Sequence, residues 1–418
     1  MAIYDERTGR TVALLLIAGS GITSLARSMT LTFMALKLQR EFGLAPAAIG
    51  AILGAGPLLG AVAAPLAGAV SDRVGRKRVF LTSLTLISLG LMGIGLSGSV
   101  VTLCVAQIVS AVALAVFQPM TRALISDAAP AHLRLRFFSW RHLVTNAGFA
   151  IGPMIGVATG TGSSALFVAA SLLYASYGVV VLFIVPSVSG GKRVTRGVAD
   201  LLGLRNLRLA LRDRRLTFFL GGGTLLVAVY GQWSATLSQY VGSNFEDGIN
   251  AFALLVMTNA IGVVLANVPA RHVVERIGAL PSLVLGCILF LAGEVGFALS
   301  SGLEMLVVSM VVFTLGEVLV VPSEYILVDD IANDDNRGSY FGAQAFSSIG
   351  SFLGPLLGGI ALGALGGAGM FFLFSVFAAL SALLFMVGHS LPPPKSTLPD
   401  AQRVVPVALD RNALSFGL

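Results

Sequence analysis

The stretch GAVSDRVGRKR, Gly68 to Arg78, gathers Asp72, Arg73, Arg76, Lys77 and Arg78 into a short segment of a chain that is otherwise nearly free of charge. Apolar runs long enough to cross a bilayer, roughly 20 residues each, lie on both sides of it. Of the 418 residues, 56% are hydrophobic and 11% charged, whereas soluble domains carry about 45–50% and 25%. The chain therefore resides in lipid, and the charged stretch is a turn where it leaves the bilayer and comes back. The 49 glycines fit helices that approach closely through small residues.

Working outward from that turn, apolar spans fall near 11–36, 47–70, 79–97, 100–126, 138–160 and 164–186. A second set falls near 216–241, 248–270, 281–300, 304–328, 339–362 and 369–389. This reads as an all-α integral membrane protein of 12 transmembrane helices in two six-helix bundles. The halves are 1–186 and 216–390, joined by a basic linker at 187–215 and followed by a tail at 391–418. The first span is too long and too polar at its end for a cleaved signal peptide. The linker's Leu/Arg rhythm suggests an amphipathic helix on the membrane surface. With both termini cytoplasmic, 24 of the 27 Lys and Arg residues fall on the cytoplasmic side, as basic loops retained inside require. That places the chain in the cell (inner) membrane with both termini inside. The net charge of +7 follows this loop bias and does not point to nucleic acid. Cys104 and Cys287 sit in apolar runs of different halves, a pattern that favours neither a disulfide nor a metal site.

The halves repeat. Displaced by 203 residues, Asp72–Gly75 (DRVG) meets Glu275–Gly278 (ERIG), Pro119 meets Pro322, Asp127 meets Asp330, and Arg134 meets Arg337. At 202, GFAIGPMIG (148–156) meets GSFLGPLLG (350–358). Two parallel six-helix repeats describe a transporter built around a midplane cavity.

These residues carry a family resemblance. GAVSDRVGRKR resembles motif A of the major facilitator superfamily, between its helices 2 and 3. GFAIGPMIG resembles the helix 5 motif of the superfamily's antiporters. PMTRALISDAAPAHLR (119–134) resembles the end of helix 4 in its drug:proton antiporters, and GEVLVVP (316–322) resembles a helix 10 stretch of such exporters. The chain departs from the drug antiporters at Gln107, where many carry Arg, and the second-half loop lacks the basic run. The resemblance implies the superfamily fold. It also implies a conformational latch of Gly68, Asp72, Arg73, Gly75, Arg76, Asp127 and Asp330, in which Arg76 reaches Asp127 and the outward-open state is favoured. The alternative is that Arg73, Lys77 and Arg78 only hold the loop inside; acids contribute little to orientation, so Asp72 points to more. Gly68 is expected to permit close helix contact. Gly148, Gly152 and Gly156 share a helix face and Pro153 bends the helix, which suggests a gate or hinge between halves, with generic packing as the alternative.

A charged side chain inside a span costs at least about 2.5 kcal/mol, so each one is a proton- or substrate-site candidate. Glu317 is the deepest. Arg27, Glu294, Glu324 and Arg122 follow, each with a buried structural role as the alternative. Tyr230, Gln232, Trp233, Thr236 and Gln239 form an amphipathic set in span 7 that would suit a drug cavity or helix packing. Asn146 and Asn259 are further cavity candidates.

No Walker motif, metal-ligand cluster or Ser/His/Asp arrangement appears, so an enzyme is not expected and no cofactor is required beyond the proton gradient as energy source. The leading expectation is a monomeric secondary transporter that couples proton entry to efflux of small amphipathic compounds. The alternative within transport is a dedicated exporter of a sugar, amino acid or siderophore. A non-transporting receptor or assembly factor is disfavoured by Arg27 and Glu317, because a packing-only bundle has no use for intramembrane charges. Expected partners are a small-molecule substrate, protons and the lipid bilayer.

Overall fold

The computed structural model describes residues 5–160, 163–186, 213–332, 340 and 343–392. Most of the basic linker and of the tail lies outside these, including the expected surface helix.

The described residues are all-helical. The N-terminal half comprises α1 (Glu6–Leu31), α2 (Met34–Phe42), α3 (Pro46–Val74), α4 (Arg76–Leu96), α5 (Val100–Ala128), α6 (Arg134–Ala158) and α7 (Ser164–Ile184). The C-terminal half comprises α8 (Arg214–Gln232), a π-helical turn (Trp233–Leu237), α9 (Ser238–Asn244), α10 (Gly248–Ile277), α11 (Ala279–Ala298), α12 (Leu303–Ile331) and α13 (Gly350–Ser390). Ten described helices are long and apolar enough to cross a membrane. Two features separate that number from the expected twelve. α6 is 25 residues long, but Arg134, Arg136 and Arg141 make its first two turns basic. α13 has 41 residues, about 62 Å at 1.5 Å per residue or twice a bilayer core, and Gly366 breaks it with φ 70°. Counting α6 and dividing α13 at Gly366 accommodates the twelve spans.

Side-chain caps and glycine turns fix where the helices begin and end. Asp5 accepts from the Thr8 amide at 3.2 Å, Ser163 from Leu166 at 3.3 Å and Asp213 from Arg215 at 2.9 Å, which satisfies amides that a helix start leaves open. The turn within GAVSDRVGRKR is made by Gly75 at φ 98°, and its repeat mate Gly278 turns the chain identically at φ 89°. That backbone region admits glycine at little cost, so both turns require it.

Each half has its own apolar core. Phe80, Phe117, Phe167 and Tyr174 anchor the first; Phe219, Phe290, Phe313, Phe371 and Phe374 anchor the second. Phe33 and Leu36, although in the first half, pack into the second core. The pole where α3 ends and α4 begins is called the basic pole below; α2, α9 and the start of α10 lie at the other. The halves meet along α3 with α13 and along α6 with α10. At the far pole the contact is tight. Gly50 lies against the Pro355 backbone, Gly359 against that of Pro46, and Gln39 Nε2 donates to Ser243 Oγ at 3.1 Å. Toward the basic pole the halves part, and a cavity lined by His142 of α6 and by Arg271 and Glu275 near the end of α10 lies between them. The molecule is thus shut at the far pole and open at the basic one.

Candidate functional site

Between α6, α10 and α12 the opening forms a cavity of about 490 Å³, with Glu317, His142, Asn267, Arg271 and Glu275 among its polar lining and Val263, Val318, Val321 and Ile326 among its apolar lining. Glu317 stands on α12 at its inner end. Its Oε2 accepts from Asn259 Nδ2 at 2.8 Å, and the same amide lies 3.1 Å from Thr314 Oγ1. The donor on α10 answers the polar demand of a carboxyl group placed in an apolar span. Farther out on α10, Arg271 Nε donates to Glu275 Oε1 at 2.7 Å.

A second group of site residues lies at the centre of the molecule. The Arg27 guanidinium on α1 stands 5.5 Å from the Phe149 ring centroid on α6, a distance at which the ring face attracts a cation. Tyr230 on α8 is 39% exposed and lies within electrostatic range of Arg27, Glu317, Glu324 and Tyr325. Glu324 bonds Gln344 and rests beside Gly223, where a methyl group would sit 2.5 Å from its Oε1. Side chains of both halves therefore converge, an arginine from one and acids and tyrosines from the other.

Other positions lie apart from this centre. Gln232, Thr236 and Gln239 are no more than 1% exposed and face the interior of the C-terminal half. At about 100° per residue Gln232 and Gln239, two and nine residues after Tyr230, fall on the helix face opposite to it. Gln232 Nε2 donates to Glu294 Oε1 at 3.1 Å, and Thr236 Oγ1 donates to Gln232 Oε1. Trp233 packs 6.1 Å from Phe252. Asn146 donates to the His142 carbonyl on its own helix at 2.9 Å. Arg122 is exposed, and Arg141 donates to Gln118 Oε1 at 2.7 Å.

At the basic pole, Arg76 Nη1 reaches Asp127 Oδ2 at 2.5 Å. Asp330 is exposed at the end of α12, Arg73 is exposed beside the turn, and the Asp72 side chain lies outside the described part. Two expectations need correction. A methyl group on Gly68 would meet nothing within 4 Å, because α3 stands free of the other half where the pole is open. Gly148, Gly152 and Gly156 do not sit between halves. They face α1, where methyl groups would strike the backbone of Gly21, Leu25 and Met29 and the Ser28 hydroxyl. Ser24 Oγ and Ser28 Oγ donate to the Thr145 and Gly148 carbonyls at 2.7 and 2.9 Å. Their repeat mates Gly350 and Gly354 face the α8 backbone at Thr224 and Ala228 in the same way. The motif binds each half's fifth helix to its first.

Asn267, Arg271, Glu275 and Gln344 were not singled out from sequence. Asn259, Asn267, Arg271 and Glu275 are spaced by multiples of four residues, a polar stripe on one face of α10 that the sequence does display. Gln344 lies outside any regular stripe. A further polar cluster ties the start of α8 to the segment before α13. Tyr340 donates to the buried Asp213 at 2.7 Å, and Arg215 Nη2 lies 3.3 Å from the same carboxylate oxygen. Burial, and then the bond to Asp213, push the Tyr340 phenol above its ordinary range.

Comparison with known proteins adds identity to this geometry. The family model described as Major Facilitator Superfamily matches residues 16–256 and 224–415. The chain is 29% identical over 375 residues to the uncharacterised MFS-type transporter YqjV of Bacillus subtilis (strain 168), covering 88% of this chain and 90% of that one. It is 22% identical over 390 residues to a Na(+), Li(+), K(+)/H(+) antiporter of Planococcus maritimus, covering 86% and 91%. Among solved structures, that of the nucleoside transporter NupG superposes with a TM-score of 0.78 at 16% identity, over 91% of this chain and 100% of that one. This last likeness is one of fold alone.

Proposed function

The chain belongs to the major facilitator superfamily, and on that footing we propose that this membrane transporter is a proton-coupled exporter of small amphipathic compounds. The observation that carries the proposal is Glu317, bonded to Asn259 and set in the wall of a cavity between the halves whose lining runs out to Arg271 and Glu275. Such a carboxyl group can hold a proton or the cationic end of a substrate, and the two compete for it. The apolar lining suits the remainder of an amphipathic molecule. The basic bias of the loops supports a cytoplasmic basic pole, with both termini inside the cell membrane and the cavity facing the cytoplasm. The Planococcus relative, by its name an antiporter that exchanges alkali cations for protons, supports proton exchange.

In this mechanism substrate enters from the cytoplasm and displaces the proton from Glu317. The basic pole closes, the far pole opens, and substrate leaves for a proton from outside. The proton gradient supplies the energy: about 1.4 kcal/mol per pH unit and about 2.3 kcal/mol per charge per 100 mV. No cofactor takes part, and a monomer suffices. Arg27 favours a second reading, export of a metabolite bearing an anionic group, since its cation faces the same centre.

The test is uphill transport by the purified protein in proteoliposomes under an imposed pH gradient. Ethidium serves as an amphipathic cation, beside a panel of sugars, amino acids and siderophores. The wild-type protein is expected to accumulate ethidium against its gradient. Glu317→Gln is expected to lose accumulation at least tenfold while passive equilibration persists. Undiminished accumulation by Glu317→Gln removes the residue from the mechanism, and gradient-driven movement of a panel metabolite with none of ethidium selects the second reading.

A further inference from the structure

Glu294 on α11 lies away from the cavity and is unused by the mechanism above. It is 0% exposed. Its Oε1 accepts from Gln232 Nε2 at 3.1 Å, and its Oε2 has no hydrogen-bond partner among the described residues. No described Lys, Arg or His lies within ion-pairing distance of it. The titratable groups on the helices around α11 are Arg214, Arg215 and Tyr230 of α8 and Tyr240 of α9, Glu304, Glu317, Glu324, Tyr325, Asp329 and Asp330 of α12, Arg271, His272, Glu275 and Arg276 of α10, and His389 of α13. Among the described residues none of these bonds Glu294; its bonded neighbour is the neutral amide of Gln232.

An ionised carboxylate is an acceptor only, with room for about four donors. Buried without a counter-ion it carries a desolvation penalty of several kcal/mol, which one amide donor does not offset. A bound proton removes that penalty. The partner amide belongs to α8 at the edge of the π-helical turn Trp233–Leu237, and Thr236 within the turn donates to the Gln232 side-chain oxygen Oε1. Single π-helical turns accompany functional sites in many helices.

We infer that Glu294 is a second proton-binding site, separate from the cavity carboxylate, whose access to water is controlled by the π-helical turn between α8 and α9. The proton sits on Oε2, since Oε1 accepts from Gln232. On release the Oε2–H bond breaks and the proton passes to water admitted when the turn relaxes; on reloading the bond forms again, with no other atom or electron transferred. The inference concerns a site different from Glu317, and its test is run with Glu317 replaced, so failure of one reading leaves the other standing.

The test is infrared difference spectroscopy of the full-length protein in proteoliposomes at mildly alkaline pH, where exposed carboxyl groups are ionised. Glu317→Gln is compared with Glu317→Gln/Glu294→Gln. The first is expected to show a protonated-carboxyl C=O band that the second lacks, and that band should shift on transfer to D2O. Gln232→Leu keeps the acid but removes the donor to Oε1, so in the Glu317→Gln background it should move the same band to higher frequency. This variant also carries the test if the Glu294 variant does not fold. Identical spectra with and without Glu294, or no band that responds to Gln232→Leu, show an ionised residue and overturn the inference. A band that never exchanges with D2O shows a sealed structural acid and overturns it equally.

Discussion

Arg76 on α4 and Asp127 on α5 form an ion pair across the basic pole, with Nη1 2.5 Å from Oδ2. It joins the quoted turn to the end of α5 without touching the other half. The two side chains are 37% and 24% exposed, so the pair is worth at most about 1 kcal/mol to stability. On the latch reading its consequence lies in how the pole moves. Asp127→Asn is expected to shift the melting temperature by no more than a few degrees while slowing transport severalfold. A large fall in melting temperature with unimpaired transport would reverse the assignment and make the pair structural.

Gly152 and Gly68 belong to the two motifs but meet different surroundings. A methyl group on Gly152 would lie 2.9 Å from the Met29 backbone nitrogen and closer still to the Ser28 hydroxyl. Overpacking of this kind costs about 1–3 kcal/mol. Gly152→Ala is therefore expected to lower the yield and melting temperature of folded protein, and Gly354→Ala, against the Ala228 backbone, should do the same. Gly68→Ala is expected to leave stability unchanged, because nothing lies within 4 Å of the added carbon. Any transport defect in Gly68→Ala then reports a contact that forms when the basic pole closes. Thermal melts of the three variants decide it.

Tyr340→Phe removes the donor to Asp213, a carboxylate only 4% exposed. Hydrogen bonds to charged groups contribute about 1.5–3 kcal/mol, and Arg215 remains as a partner, so the expected loss is near the lower figure. It should appear as a lower melting temperature at neutral pH. An unchanged melt would show that Arg215 alone satisfies Asp213.

How far the sequence displayed all this depends on the kind of feature. The all-helical membrane-spanning class, the repeat and the paired glycine turns at Gly75 and Gly278 were legible because hydropathy and backbone conformation are local properties. The Arg76–Asp127 pair was legible through resemblance. The direction in which a side chain faces was less so. Gln232, Thr236 and Gln239 read as polar neighbours of Tyr230 in one span, but adjacency in sequence is not a shared face: Gln232, two residues on, lies about 200° round the helix and bonds Glu294 in the interior of the half. The helix 5 glycines read as a contact between halves because spacing identifies a small-residue face without identifying what packs on it. Gly68 was read as a contact residue, and its surroundings depend on which pole is open. The α10 stripe from Asn259 to Glu275 was there to be read at intervals of four.

The far pole supplies the last prediction. Gln39 Nε2 lies 3.1 Å from Ser243 Oγ, Leu36 packs on Gly242, and the Phe33 and Phe252 rings meet edge to face at 6.1 Å. These contacts join the two halves where the molecule is shut, so alternating access requires them to separate once per cycle. Cysteines at Gln39 and Ser243, introduced after Cys104 and Cys287 are replaced, are close enough for a short, reducible bifunctional thiol reagent to bridge. The bridge is expected to abolish transport, and reduction should restore it. The locked protein should still be open at the basic pole. An Asn267→Cys variant, with its cysteine in the wall of the cavity, tests that directly. A maleimide applied after bridging should label residue 267 at least as fast as in the unbridged protein, since the lock holds the population in the state that exposes it. Full transport by the bridged protein would show that the far pole need not open. Protection of residue 267 on bridging would show that the two poles do not alternate.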